Sequence, residues 1–216
     1  MPAAMWTLVA GLVGFAASLL FSGLLHWPRS TFVLAYGVLV AGFMVLFVRG
    51  LQFRLTDQFG RRWPAGLVAG LLMGLLLAHN VLGQPASARP AGGDLVVAVL
   101  WYGVIYGAID AVLLSVVPVL SLYGSRPPAD LQRASGRLRW GLVAVAGSLL
   151  VTALYHLGFE EFRGAGLLGP LIGNALITVA YLLTGNPLAA VVSHIIMHCA
   201  AVWHGMATAI QLPPHY

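Results

Sequence analysis

Apolar residues run along this chain in long blocks, and the short stretches between them hold most of the prolines and charged residues. An α-helix needs about 20 apolar residues to cross the hydrocarbon core of a bilayer. The blocks predict about seven such helices, at roughly residues 5–27, 31–48, 64–82, 94–123, 138–158, 166–183 and 187–210. We therefore expect an all-α, polytopic transmembrane helix bundle that forms a single integral membrane domain over residues 1–216.

The composition excludes an ordinary soluble domain. Of the 216 residues, 60% are hydrophobic and only 8% are charged, whereas soluble domains carry roughly 25% charged residues. The net charge of +5 comes from arginines in short loops, which indicates the lipid bilayer as partner and not nucleic acid. The N-terminal MPAAMWTLVAGLVG lacks a basic leader and continues into the first apolar block, which predicts a retained helix and not a cleaved signal.

The arginines are distributed unevenly between alternate loops. Eight lie in the loops after the second and fourth predicted helices, namely Arg49, Arg54, Arg61, Arg62, Arg126, Arg133, Arg137 and Arg139. The alternate loops have one each: Arg29, Arg89 and Arg163. Because arginine-rich loops stay on the cytoplasmic side, this pattern predicts a cytoplasmic N-terminus and an external C-terminus. We predict a multi-pass protein of the bacterial inner, cytoplasmic membrane.

Small residues recur at four-residue spacing on two predicted helices. Gly66, Gly70 and Gly74 do so in the third, and Gly103 and Gly107 in the fourth. Small residues at this spacing let two helix backbones approach closely inside a membrane. We predict tight helix packing at these faces and assign them no chemistry.

Titratable residues inside the spans are the main indication of function, because a charge at mid-membrane costs about 2.5–3.5 kcal/mol on insertion scales. Asp110, in YGAIDAVLLSVVP, is the only acid well inside a predicted span. His194 and His198 lie one turn apart on one face of the last predicted helix. Two such imidazoles can bind one metal ion such as zinc, or share a proton-transfer task. Packing histidines and a hydrogen-bonded structural aspartate are the alternatives.

Further polar residues lie at overlapping depths. His156 is toward the outer end of the fifth predicted helix, and His79 with Asn80 is in the third. At 1.5 Å of rise per residue, one polar cluster inside the bundle is geometrically allowed. Glu160 and Glu161 follow His156 in a short loop, and we interpret them as solvated loop charge.

The C-terminal half resembles the CPBP family, the CAAX-prenyl-endopeptidase and bacteriocin-processing group of intramembrane proteases. In AYLLTGNPLAAVVSHIIMH, His194 matches the histidine of the family's His-x-x-x-Asn motif, and His198 stands at the asparagine position. The stretch TALYH resembles the Phe-x-x-x-His motif at His156, with Thr152 at the phenylalanine position. The family's Glu-Glu-x-x-x-Arg motif should precede these, where the chain offers Asp110 without a second acid or an arginine. The string GFEEFRG has the motif's letters in the wrong order and place, so we treat it as coincidence.

The resemblance implies a CPBP-like core in the C-terminal half and a role for each matching residue. Asp110 would be the base that activates water for peptide hydrolysis. His156 and His194 would orient that water or stabilise the oxyanion, and His198 would replace the asparagine donor. Aspartate is one methylene shorter than glutamate, which shortens the reach of the base.

Three functions remain open at this point. The first is a CPBP-like intramembrane endopeptidase, a hydrolase that cuts a membrane-embedded or lipidated peptide. The second is a pseudoenzyme that keeps the fold and scaffolds or stabilises a complex of membrane protein subunits. The third is a haem- or metal-binding membrane protein, because histidines on different helices can ligate haem axially. The chain has no Cys-x-x-Cys-His attachment site, so any haem would be non-covalent.

Overall fold

The computed structural model describes residues 2–206, which fold into helices and contain no β-strand. Seven long helices occur in this part of the chain. They are α1 (Ala3–Leu24), α2 (Arg29–Leu51), α3 (Trp63–Leu82), α4 (Gly92–Gly124), α5 (Ala134–Leu157), α6 (Ala165–Thr184) and α7 (Leu188–His204). Two short helices, Leu55–Gly60 and Pro128–Gln132, lie in the loops before α3 and α5.

The helices have the length and surface of membrane spans. Six of them, α1 to α6, are long and apolar enough to cross a bilayer, and α7 is a shorter apolar helix of 17 residues. Their outward side chains are apolar as well, since Val38, Leu72 and Leu183 are 65%, 66% and 79% exposed. An apolar exterior of this extent is expected where lipid replaces water. The prediction of an all-α polytopic bundle is confirmed.

The boundaries differ from the predicted ones by a few residues. Helix α1 ends at Leu24, before the predicted residue 27, because the chain turns at His26, whose φ of 48° is left-handed. Helix α5 begins at Ala134, four residues earlier than predicted. Residues 207–210, at the predicted end of the last helix, lie outside the described residues.

Helix α4 is the central helix, and it is irregular. In its most apolar stretch 72% of the residues are buried, against 28–39% in the other five long spans. Its α-helical turns alternate with π-helical ones, and the π segments Val99–Ile105 and Ala111–Val116 flank the short α segment Tyr106–Asp110. A π turn shifts the side chains out of the 3.6-residue period, and such turns often occur at functional sites. Asp110 therefore lies at a point where the side-chain period of the helix changes.

Helices α3 and α7 pack closely along the glycine face of α3. A Cβ at Gly70 would lie 2.8 Å from the Cβ of Val192 and 3.0 Å from the Leu188 carbonyl oxygen. One turn further, a Cβ at Gly74 would lie 2.8 Å from the Cβ of Ile196. The glycines thus bring α3 against the helix that carries His194 and His198.

We expect Gly70→Ala to lower the free energy of unfolding by about 1–3 kcal/mol, because the added methyl has no room beside α7. Gly42→Ala in α2 is the control, since a Cβ there would meet nothing within 4 Å. Alanine should leave that helix unchanged or more stable by up to about 1 kcal/mol. Thermal unfolding of both variants in the same detergent measures the difference, and equal melting temperatures would contradict the packing account.

The loops after α2 and α4 meet at one end of the bundle. There Arg61 and Arg62 line a groove together with Arg126 and Arg137. We call this the arginine-rich end. Which side of the membrane it faces stays a prediction from the arginine bias.

Candidate functional site

A cavity of about 130 Å³ lies between α3, α4, α5, α6 and α7. Asp110 on α4, His156 on α5, and His194 and His198 on α7 all line it. These four residues are buried, whereas Asn80, which also lines the cavity, is exposed. The structure therefore brings the four residues singled out in the sequence to one space inside the bundle, with an edge at the surface.

The Asp110 carboxylate faces the His198 ring. Asp110 Oδ2 and His198 Nε2 are 3.4 Å apart, and both side chains are at most 5% exposed. That separation is longer than a good charge-assisted hydrogen bond of about 2.7–2.9 Å. Asp110 Oδ1 and both ring nitrogens of His198 have no hydrogen-bond partner among the described residues. Each of the two groups thus has unused polar capacity in a buried site, which calls for a ligand or water.

His194 is held by Asn174 of α6, with its Nε2 atom 3.3 Å from Asn174 Oδ1. The amide oxygen can only accept, so Nε2 carries the ring proton and donates it. The remaining ring nitrogen, His194 Nδ1, then carries a lone pair, and it has no hydrogen-bond partner among the described residues. Asn174 therefore fixes a tautomer in which His194 presents a base.

His156 is held by the backbone of its own helix. Its Nδ1 atom lies 2.8 Å from the carbonyl oxygen of Thr152, one turn earlier. Because a carbonyl only accepts, Nδ1 must be the protonated nitrogen, and Nε2 is left with the lone pair. The ring packs edge-on against Phe162 and Tyr155, at centroid distances of 4.7 and 5.1 Å. His156 thus presents a second oriented base beside the cavity.

Asn174 is the residue that the sequence reasoning missed, and it joins α6 to three other helices. Its Nδ2 atom donates to the Ser148 and Thr152 hydroxyls of α5, at 2.8 and 2.6 Å, and lies 3.3 Å from the Leu114 carbonyl oxygen of α4. Its Oδ1 atom accepts from the Ser115 hydroxyl of α4 at 2.7 Å. An amide in the middle of LIGNALITVAYL was the available signal, because polar side chains join helices inside membranes.

Three buried tyrosines form a second group that the sequence did not indicate. The Tyr106 and Tyr155 hydroxyls are 2.7 Å apart, and the Tyr36 ring stacks on Tyr155 at 5.1 Å. The Tyr106 ring meets His198 edge-on at 4.9 Å. Through Tyr106 this group contacts His198, whereas the polar network of Asn174 contacts His194.

Several candidate residues lie away from this group. His79 is exposed and does not line the cavity, whereas its neighbour Asn80 does. Glu160 is 3.5 Å from Arg163, with both side chains at least 50% exposed, so this pair belongs to the surface. Glu161 is exposed as well. The interpretation of the acidic string as loop charge agrees with these positions.

Asp110, His194 and His198 also fit a metal ion. Among residues 2–206 they form a group in which one ligand atom from each residue lies within 4.8 Å of the others. Two histidines and one carboxylate are a ligand set of catalytic zinc sites. Ligands at 2.0–2.1 Å from a tetrahedral zinc are about 3.4 Å apart, which equals the separation of Asp110 Oδ2 from His198 Nε2. The hydrogen bond of His194 to Asn174 is the kind of outer support that metal-binding histidines have.

No protein-family model, curated protein or solved structure matches this chain. The resemblance of its motifs to the CPBP family therefore stays a prediction. Function must be inferred from the chemistry of the cavity.

Proposed function

We propose that this chain is an intramembrane hydrolase that cleaves a peptide bond of a membrane-embedded or lipidated peptide, as the resemblance to CPBP endopeptidases implies. The observation that carries the proposal is the convergence of Asp110, His156, His194 and His198 on one cavity. A buried acid with three imidazoles is costly in a membrane interior, and such groups are functional by default.

The proposed roles follow from which polar atoms of these residues already have a hydrogen-bond partner or a close polar contact. Asp110 has one carboxylate oxygen beside His198 and the other without a partner, so Oδ1 is the atom that accepts a proton from water. The tautomers set by Thr152 and Asn174 give His156 and His194 lone pairs, which accept hydrogen bonds from that water and hold it in place, while Asp110 takes the proton and returns it to the leaving amine. Before protonation these lone pairs cannot donate to an oxyanion, so orienting water is their first role.

The position of the cavity supports a substrate that comes from the membrane. Its wall includes the exposed residues Asn80 and Gly169, on α3 and α6. Leu76 of α3 and Ile172 of α6 lie nearby in sequence and are 54% and 61% exposed, as lipid-facing residues are. A peptide carried by an acyl or prenyl chain, or by a transmembrane segment, reaches such a wall without leaving the bilayer.

Asp110→Asn is expected to lower cleavage by about 10²–10⁴-fold, the usual contribution of a general base. Asp94→Asn is the matched control, because Asp94 is an exposed acid in the first turn of the same helix. Cleavage is measured by comparing peptide N-termini in membranes from cells that express the wild type, either variant or no protein. New N-termini that persist in Asp110→Asn would overturn the role of this residue. If the wild type gives no new termini but co-purifies stoichiometrically with another subunit, the scaffold function is the correct one.

Divalent metal binding is the second candidate, and the group Asp110, His194 and His198 favours it. All three are buried, His194 Nδ1 and His198 Nε2 have no hydrogen-bond partner among the described residues, and Asp110 Oδ2 lies 3.4 Å from that His198 Nε2 atom. These residues would hold the ion, which when bound supplies Lewis-acid polarisation of water or a carbonyl. His156 lies outside this group of three ligands and would keep its role toward water.

A further inference from the structure

A second, larger space opens at the arginine-rich end, far along the bundle from the four-residue site. It is a groove of about 940 Å³ between the last turns of α4, the start of α5 and the end of α6. This volume is near the upper limit of the roughly 300–1,000 Å³ that ligand sites occupy. None of the residues that line it also lines the cavity of Asp110.

One end of the groove is strongly basic. Arg61, Arg62, Arg126 and Arg137 line it, and no acidic residue is among its lining residues within the described part of the chain. The two acids of the adjacent short helices, Asp57 and Asp130, are not part of the wall. Four guanidinium groups in a wall that contains no acid among the described residues make a site for an anion.

Two of these arginines are fixed in place by the protein itself. Arg126 donates from Nε to the Leu122 carbonyl at 3.0 Å, and its guanidinium lies 3.8 Å above the Trp140 ring. Arg137 donates from one Nη atom to the carbonyls of Leu131 and Gln132, at 3.2 and 3.0 Å. A guanidinium has five N–H donors, so each keeps donors for a planar, two-point contact with a phosphate. Arg126 and Arg137 are thus oriented before any ligand arrives.

Along α5 and α6 the groove is lined by apolar side chains of the long helices. On α5, Leu138 and Leu142 are 64% and 61% exposed, and Val145 continues the same face at the i, i+4, i+7 positions. On α6, Leu183 is 79% exposed, and Val179 lies one turn deeper. An occupant must therefore be anionic at the end of the bundle and apolar along the helices.

We propose that this groove binds an anionic phospholipid. The lipid phosphate lies among the four arginines, and an acyl chain lies in the apolar part of the groove along α5 and α6. Basic pockets between membrane helices are a known mode of recognising anionic headgroups. A soluble phosphate compound would satisfy only the arginines and leave the apolar wall uncovered. A second copy of this chain would bring few acids to the arginines, because only Asp57 and Asp130 lie in the loops at this end.

The test is native mass spectrometry of the full chain released from detergent after incubation with phosphatidylglycerol or phosphatidylcholine. The wild type should retain one phosphatidylglycerol and not phosphatidylcholine, and Arg61→Gln/Arg62→Gln should weaken retention about tenfold. Arg54→Gln/Arg133→Gln is the matched control, because it removes two exposed arginines from the same end but outside the groove. Equal loss in both double variants, or equal retention of both lipids, would overturn the proposal.

A second pair of variants distinguishes a lipid-binding site from a site that binds phosphate alone, and neither variant changes the net charge of the protein. Leu142→Trp fills the apolar part of the groove and should reduce phosphatidylglycerol retention, whereas Leu150→Trp, further along α5 and outside the groove, should not. Thermal stabilisation of the wild type by phosphatidylglycerol, but not by inorganic phosphate at the same concentration, is expected. Equal stabilisation by inorganic phosphate would identify an anion site and reject the lipid.

Discussion

Replacing Asn174 by leucine is expected to lower the free energy of unfolding of the bundle by about 3 kcal/mol. Leucine has nearly the same volume but no amide, so the Ser115 hydroxyl and the His194 ring lose their acceptor. The Ser148 and Thr152 hydroxyls lose the donor that they share. Hydrogen bonds inside membrane proteins contribute about 0.6 kcal/mol on average and about 1.7 at most. The loss of four or five hydrogen bonds at once, all in one buried network, gives the expected total of about 3 kcal/mol.

Unfolding of wild-type and variant protein in mixed detergent micelles, followed by circular dichroism, measures this difference. Asn80→Leu is the matched control, because Asn80 also lines the cavity but is exposed. We expect that change to stay within about 0.5 kcal/mol, as for other exposed positions. If both variants have the same free energy of unfolding, Asn174 does not hold the four helices together, and its hydrogen bonds make no measurable contribution to stability.

The helices themselves could be predicted from the sequence, because a chain in lipid must satisfy its backbone hydrogen bonds within each span. The apolar blocks therefore had to become helices, and the ends fall near prolines and arginines. The close approach at Gly70 could also be predicted from the spacing of small residues. Its partner could not, since nothing in GLVAGLLMG indicates that α7, and not another helix, lies against it.

The site could be predicted only in part, for a reason that lies in α4. The cost of burying charge singled out Asp110, His194 and His198 without any knowledge of their neighbours. Whether they meet depends on the rotation of each helix about its axis. The π-helical segments Val99–Ile105 and Ala111–Val116 change that rotation on either side of Asp110, and a 3.6-residue period cannot anticipate them.

The roles of the neutral polar residues could not be predicted for a different reason. Burying an amide such as Asn174, or a phenol such as Tyr155, in a span costs much less free energy than burying a carboxylate. Its presence in a hydrophobic sequence therefore does not by itself indicate a site. In the bundle these groups fix the histidines, since Asn174 sets the tautomer of His194 and the Tyr106–Tyr155 pair lies beside His198. Mid-span Asn, Ser and Thr residues in α4, α5 and α6 were the signal to use.

The second large effect concerns metal content, on the proposal that Asp110, His194 and His198 hold a divalent ion. We expect wild-type protein, purified without chelator and supplied with zinc, to contain about one zinc per chain. His194→Ala removes a direct ligand and should weaken binding by more than the roughly 10–100-fold that loss of an outer-shell contact costs. His79→Ala should keep the metal, because His79 is exposed and outside the cavity.

Plasma mass spectrometry of the purified proteins, with competition by a chelator of known affinity, gives both stoichiometry and affinity. The reason to expect a large difference is that the three ligands converge before any ion binds, within 4.8 Å of one another, so losing one leaves only two. Zinc retained equally by His194→Ala and the wild type would reject this site. A Soret band in the same wild-type sample would identify haem instead. Peptide cleavage by protein that contains no metal would leave Asp110 as a base acting on water directly, with the imidazoles of His156 and His194 holding that water in place.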